Sequence, residues 1–135
     1  MQKLWDLAHA LNVRSKRMGK KYGVTGPQRL VVRVLGQSPA MSASDISRTL
    51  GIHPSTLTGI LARLELQGAL ERRVDPQDRR RVRFRLTARG LRIDQERKGT
   101  VEAAVRRALG RVNTATVDVA AKLLDTLTEE LARLD

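Results

Sequence analysis

The sequence predicts a mainly α chain with one small β-hairpin, and three observations carry that prediction. Apolar residues recur at helical spacing along most of the 135 residues. The period drops to two over one stretch, residues 69–86, interrupted by a proline-containing turn. There is no cysteine, so neither a disulfide nor a thiolate-bound zinc replaces a packed core. A chain of this length buries about two-thirds of its unfolded surface and needs neither.

The elements follow in order. A first helix runs from about residue 2 to 20, with Leu4, Ala8, Leu11 and Met18 as its stripe. Gly23 and Gly26 break it. Pro27 opens a second helix, capped by Thr25 or Gly26, with Leu30, Val31, Val34 and Leu35 inward. Gly36-Gln37-Ser38-Pro39 ends that helix. Ser42 or Ser44 caps a short third helix around Ala43–Leu50 that buries Ile46 and Leu50, and Gly51 stops it. His53, at the N-cap, and Pro54 start a fourth over residues 54–67, with Leu57, Ile60, Leu61 and Leu64 inward; Gly68 ends it. Residues 69–74 form a strand, and Asp75-Pro76-Gln77-Asp78 a turn. Val82, Phe84 and Leu86 then alternate with Arg81, Arg83 and Arg85, as in a half-buried antiparallel strand. Thr87 caps a long helix reaching about Val112, with Val101, Ala104, Val105, Ala108 and Val112 as its later stripe. Gly90 and Gly99 each weaken it by about 1 kcal/mol relative to Ala. Thr114 or Thr116 caps a last helix whose Val117, Ala120, Leu124, Leu127, Leu131 and Leu134 make a heptad seam. The middle of the chain therefore reads as a helix-turn-helix followed by a two-stranded wing.

Charge narrows the partner. Lys and Arg total 26, twenty of them Arg, against 14 Asp and Glu, a formal charge of +12. An excess of this size favours a polyanion or an anionic surface. It is unevenly placed: +7 over residues 1–40, +5 over 41–90 and zero over 91–135. Residues 71–92 alone hold nine Arg and three acids. No apolar run reaches the length of a membrane span, and the N-terminus lacks the continuous apolar stretch of a signal peptide. We expect a cytoplasmic protein. Without cysteine there is no thiol nucleophile or thiol switch. Two histidines, His9 and His53, do not make a metal cluster, and no Ser–His–Asp grouping, paired carboxylates or Gly-rich phosphate loop is evident. We expect no enzyme, no metal and no cofactor.

Nucleic-acid chemistry sits in the fourth helix and the wing. With Leu57, Ile60, Leu61 and Leu64 inward, Ser55, Gly59, Ala62 and Leu66 lie opposite, and Thr56, Thr58 and Arg63 flank them. Small and hydroxylated side chains let a helix approach a major groove closely, and Arg63 can fork onto guanine or phosphate. An ordinary surface helix with hydroxyl caps reads the same way on its own. The wing adds Arg79 and Arg80 at its turn, with Arg81, Arg83 and Arg85 along one strand face. Like charges this dense repel unless an anion screens them. An Arg at a hairpin tip also fits a narrow minor groove. Asp78 beside them is a turn former, an Arg partner, or both.

Two stretches resemble the MarR family of bacterial transcriptional regulators. One is Leu50-Gly51-Ile52-His53-Pro54-Ser55-Thr56-Leu57-Thr58 followed by Leu61-Ala62-Arg63-Leu64-Glu65-Leu66-Gln67-Gly68-Ala69-Leu70-Glu71-Arg72. The other is Asp75-Pro76-Gln77-Asp78-Arg79-Arg80 followed by Leu86-Thr87-Ala88-Arg89-Gly90. The resemblance covers nearly the whole chain. It implies a single domain over residues 1–135, with a winged-helix DNA-binding core at 27–90 and dimerisation helices at 1–22 and 91–135. It implies a homodimeric repressor on double-stranded DNA, reading a pseudo-palindrome. By position, Ser55, Thr56, Thr58 and Arg63 look like recognition-helix contacts. Arg80 looks like the wing-tip minor-groove Arg, with Asp78 as its orienting acid and Arg79 and Arg81 beside it. Gly59 departs from the larger, often basic, residue many members carry there, which implies looser specificity or a shift to Arg63 and DNA shape. Family members often bind small aromatic acids, so a small aromatic or anionic effector is expected. Trp5 and His9, one turn apart on the first helix, are the candidates for its site, against plain packing. The residues themselves agree with a dimer: both terminal helices carry apolar seams, at +5 over residues 1–21 and −3 over 113–135. Two other readings remain: a non-specific nucleic-acid or nucleoid-binding protein, and a winged-helix module that binds an acidic protein.

Overall fold

A computed structural model describing residues 1–134 holds seven helices and one two-stranded antiparallel hairpin. They run α1 (Gln2–Tyr22), α2 (Gly26–Gln37), α3 (Ala43–Leu50), α4 (Pro54–Leu66), β1 (Leu70–Val74), β2 (Val82–Leu86), α5 (Ala88–Gln95), α6 (Val101–Leu109) and α7 (Thr114–Ala132). The chain forms two compact units, residues 1–101 and 102–135.

The first unit is built on one core. Val31, Val32 and Leu35 of α2, Ile46 of α3, and Leu57, Leu61 and Leu64 of α4 are buried together with Leu70, Phe84 and Ile93. Local chemistry sets the joints. Thr25 and Gln28 form a reciprocal capping box at α2, and Ser42 with Asp45 does the same at α3. His53 caps α4 by accepting the Ser55 N–H at Nδ1. Gly51, at φ +62°, ends α3 in the left-handed region that favours glycine. The hairpin pairs Leu70 with Leu86 and Val74 with Val82. Met41, between α2 and α3, adds a short third rung, its carbonyl accepting the Phe84 N–H at 2.8 Å.

Gly90 shows why an unfavourable helix residue sits in α5. A Cβ there would lie 2.0 Å from the Ala69 carbonyl oxygen. The Thr87 hydroxyl caps α5 at the Gly90 N–H and donates to the Gly68 carbonyl at 2.6 Å. Together they bolt the root of the wing to the end of α4.

Three expectations need correction. The long helix from Thr87 to Val112 is two helices, α5 and α6, separated at residues 96–100. Gly99 takes φ +68° there, and the Glu96 side chain turns back onto the Lys98 N–H, so the helical ladder stops. The cap of α7 is Asn113, whose Oδ1 accepts the Thr116 N–H at 2.9 Å, rather than Thr114 or Thr116. Leu30 is not inward but 46% exposed, and Arg29 is buried in its stead at 1%. Arg29 donates to the Ile93 carbonyl at 2.6 Å and to the Glu96 carbonyl, both at the C-terminal end of α5. A cation at a helix C-terminus is favoured, and Arg33 beside it pairs with Asp94 at 2.6 Å.

The second unit is dominated by α7. Of the expected seam, Leu124 and Leu131 are exposed and Val117 and Leu127 half-buried, while Leu134 falls past the end of α7 and is exposed. In the first unit, Leu4, Trp5, Leu7 and Leu11 of α1 are likewise exposed.

Candidate nucleic-acid interface

Helix α4 separates its two faces cleanly. Leu57, Ile60, Leu61 and Leu64 are buried, while Ser55, Thr56, Thr58, Gly59, Ala62, Arg63 and Leu66 are exposed. Ser55 Oγ lies 2.8 Å from His53 Nδ1, and Thr58 Oγ1 donates to the Pro54 carbonyl at 2.9 Å. In that rotamer Thr58 presents only lone pairs outward, so it suits a donor on a base edge better than a phosphate. Arg63 has no ion-pair partner among the described residues. A Cβ built at Gly59 meets nothing within 4 Å, so the position is open surface and any side chain fits it.

The wing is less uniform than its alternating sequence implies. Its three acids each take a cation. Glu71 pairs with Arg73 at 2.7 Å, Asp78 with Arg81 at 3.3 Å, and Asp75 with Arg83 at 2.5 Å. These bonds lower carboxyl pKa values: Glu71 chiefly through Arg73, and Asp75 through the Gln77 N–H first and Arg83 second. Arg72 lies over the Phe84 ring, 5.6 Å from its centroid, and pairs with Glu65 at 3.5 Å. What remains without an ion pair among the described residues is Arg79 and Arg80 at the tip, and Arg85.

The alternation of Arg81, Arg83 and Arg85 with Val82, Phe84 and Leu86 is kept, but the three arginines are not equally free. Arg83 is half-buried: besides Asp75, it donates from Nη1 to the Ala40 carbonyl at 2.9 Å. Asp78 accepts the Arg80 backbone N–H at 3.0 Å, so it shapes the turn under Arg80 while its ion pair goes to Arg81. Between α3 and the wing runs an open groove of about 350 Å³ lined by Ser42, Ser44, Asp45, Arg48, Arg81 and Arg83. The Ser42 hydroxyl donates to Asp45 at 2.7 Å and holds its carboxyl below the usual range.

Trp5 and His9 stand on α1, both exposed, and no side chain of the first unit encloses them. Among the described residues no helix is long and apolar enough to cross a membrane, and no group of three or more His, Cys, Asp or Glu is placed to hold a metal.

A family model described as MarR family matches residues 24–82, from the loop before α2 to the first residue of β2. Rv2887, an HTH-type transcriptional repressor of Mycobacterium tuberculosis, is 32% identical over 90 residues, which is 67% of this chain and 65% of the repressor. Residues 24–82 are thus a MarR-family region. Matched regions span just under two thirds of that curated relative's length. FarR, an HTH-type transcriptional regulator of Neisseria gonorrhoeae, is 29% identical over 93% of this chain and 84% of its own. The fold agrees with solved structures of the family's type: PcaV, a transcriptional regulator from Streptomyces coelicolor solved with its natural ligand, has a TM-score of 0.76 at 25% identity, covering 93% of this chain and 89% of its own. These relatives are named as transcriptional regulators, not enzymes.

The MarR-family region encloses α4 and the wing tip. Two structural roles, those of Arg29 and Arg83, escaped the sequence reading. Neither the α2 stripe nor the alternation through β2 points to the distant backbone carbonyls that these side chains reach.

Proposed function

We propose that this chain is a sequence-specific transcriptional regulator that binds double-stranded DNA as a homodimer and represses from a pseudo-palindromic operator. The observation that carries the reading is the division of charge in the wing. Every wing acid is taken up by an Arg nearer the root or on the flank, and Arg79 and Arg80 are left at the tip for an external anion. On α4, Ser55, Thr56, Thr58 and Arg63 form the face for the major groove, while Arg80 enters the minor groove on a turn shaped by Asp78, with Arg79 and Arg81 toward the phosphates. We assign residues 27–90 to DNA reading, and residues 1–22 and 91–135 to dimerisation within one domain. Exposed apolar side chains on α1 and α7 support that assignment. Release by a small aromatic or anionic effector belongs to the same proposal; PcaV is a ligand-bound relative, and Trp5 and His9 are the lining candidates. A cytoplasmic site of action follows from a DNA partner.

The test is a titration at about 150 mM salt, where surface charges are screened beyond about 8 Å. One duplex carries the pseudo-palindrome nearest the chain's own promoter, the other a scrambled sequence of equal composition. A preference of about 10³ or more establishes operator reading. Equal, steeply salt-dependent binding to both favours the non-specific reading, which Gly59 and the +12 charge support. No binding to either favours the protein-interaction reading. Leu127→Asp is expected to give a monomer by sedimentation and to abolish operator binding. A stable dimer in that variant moves the interface elsewhere.

A further inference from the structure

We infer that Arg83 and Asp75 are positioning residues that brace the wing against the α2–α3 loop and so aim the wing tip at DNA, rather than touching DNA themselves. The inference rests on the DNA-binding reading above but not on any particular operator.

Three observations converge on this brace. The Arg83 guanidinium reaches in two directions, donating to the Asp75 carboxylate at 2.5 Å and to the Ala40 carbonyl at 2.9 Å. Asp75 is only 5% exposed, and its other oxygen accepts the Gln77 N–H at 2.9 Å, so it is locked into the turn that starts the wing loop. The backbone beside the bracket is tied as well. Asp75 N–H donates to the Arg81 carbonyl at 2.8 Å, and Phe84 N–H donates to the Met41 carbonyl at 2.8 Å. One side chain thus links the start of the wing loop, strand β2 and the loop before α3.

The wing needs such a link. Its two strands are five residues each, and an isolated two-stranded hairpin is marginal in water. Of the ten strand residues only Leu70, at the root, and Phe84, on the middle rung, are buried, and none beyond them toward the tip. Without the brace, the tip carrying Arg79 and Arg80 hangs on the last rungs of the ladder.

The sign of the Asp75 effect decides the matter. Asp75→Asn removes a negative charge from a DNA-facing element. If the carboxylate acted only as a charge, binding would tighten. As part of the brace, its loss weakens binding. We would measure Kd for the full-length chain on a duplex of about 30 base pairs, three helical turns. The variants are Asp75→Asn, Arg83→Leu, Arg83→Lys, Arg80→Ala and the double variant Arg80→Ala/Arg83→Leu. The expected result is a roughly tenfold to hundredfold loss for Arg83→Leu and for Asp75→Asn, the scale of one lost Arg anchor. Arg83→Lys keeps the charge but not the fork, so it falls between wild type and Arg83→Leu. The double variant is expected to bind about as weakly as Arg80→Ala alone, because Arg83 acts through the tip.

Tighter binding by Asp75→Asn, or losses that add in the double variant, overturns the inference: Arg83 then touches DNA itself. A wild-type thermal midpoint and faster amide exchange at Phe84 alone are expected in Arg83→Leu. Global unfolding of both Asp75→Asn and Arg83→Lys also overturns it, because the pair then holds the whole domain. If the wild type binds no duplex, the DNA reading fails, while the Phe84 exchange still reports whether the brace exists.

Discussion

Helix α4 carries hydroxyls and a cation outward and the wing carries cations, yet they hold them by opposite means. In α4, four buried apolar side chains out of thirteen residues fix the element, and the outward residues are free of that task. In the hairpin the apolar anchor is thin, and side chains that resemble DNA contacts in sequence also serve as struts: Arg72 on Phe84, Arg73 on Glu71, Arg83 on Asp75 and Ala40. The lesson is that a substitution on the outer face of α4 tests recognition alone. A substitution in the wing tests recognition and geometry together, unless it lies at the tip.

The largest expected effect lies at the wing's root. Gly90→Ala drives a methyl group into the Ala69 carbonyl. Both partners are backbone, so relief requires moving α5 away from the hairpin. Overpacking of this kind costs about 1–3 kcal/mol, and a backbone clash belongs at the upper end. That is a fall of about 10 °C in thermal midpoint for a chain of this size. An unchanged midpoint would show the root to be looser than the Thr87 and Gly90 bonds imply, and the contrast with α4 would lose its basis.

Next come two of the arginines without an ion pair among the described residues, one from each region. Arg63→Ala and Arg80→Ala are each expected to weaken duplex binding by about 1–3 kcal/mol and to leave the midpoint unchanged. They differ in what they spare. Loss of Arg63 should narrow the gap between operator and scrambled duplex, since a forked base contact carries sequence information. Loss of Arg80 should fall hardest on duplexes with A·T-rich flanks, where the minor groove is narrow. Identical profiles for the two variants would erase the distinction between helix and wing.

How much of this was legible beforehand follows from the reach of each interaction. The α4 stripe, the caps at Thr25 and Ser42 (each one of two candidates) and the alternation through Val82, Phe84 and Leu86 are local in sequence, and all are found in the structure. Arg29 is bonded to carbonyls 64 and 67 residues away, and Arg83 to a carbonyl 43 residues away. No periodicity announces a side chain whose partner is a distant backbone oxygen. The break before α6 was hidden differently. Gly99 costs a helix only about 1 kcal/mol, too little to end it by itself, and the apolar stripe resumes at Val101. Side-chain bonds such as Glu96 to the Lys98 N–H decide the stop.

Acid should separate the two regions more gently. Asp75 and Glu71 in the wing have carboxyl pKa values lowered by their bonds, to the Gln77 N–H and Arg83 in one case and to Arg73 in the other. A carboxyl whose folded pKa is depressed contributes stability that is full above its unfolded value, about 4, and that fades as pH falls through the folded value. The exposed face of α4 carries no such group among the described residues; its one acid, Glu65, is half-buried at the flank. Below about pH 4, amide exchange is therefore expected to rise at Phe84 and Val82 before it rises at Leu61 and Leu64. Simultaneous exposure of both sets would mean that the wing has no stability of its own to lose.

The smallest effect tests the far end of the brace. Ala40 holds φ +67°, the one positive value among non-glycine residues described here. A left-handed conformation costs an alanine about 1 kcal/mol. The Ala40 carbonyl is oriented toward Arg83 Nη1 in that conformation. Glycine takes the same angle without the steric cost but adds entropy to the unfolded chain, so the two terms nearly cancel. Ala40→Gly is thus expected to shift the midpoint by less than about 1 kcal/mol equivalent and to leave duplex binding intact, since the carbonyl stays in place. Ala40→Pro is the informative contrast, because proline holds φ near −65° and turns the carbonyl away from the guanidinium. If Ala40→Pro binds DNA as well as Ala40→Gly does, the wing is aimed by its own ladder, and helix and wing differ less than the bonds at Arg83 indicate.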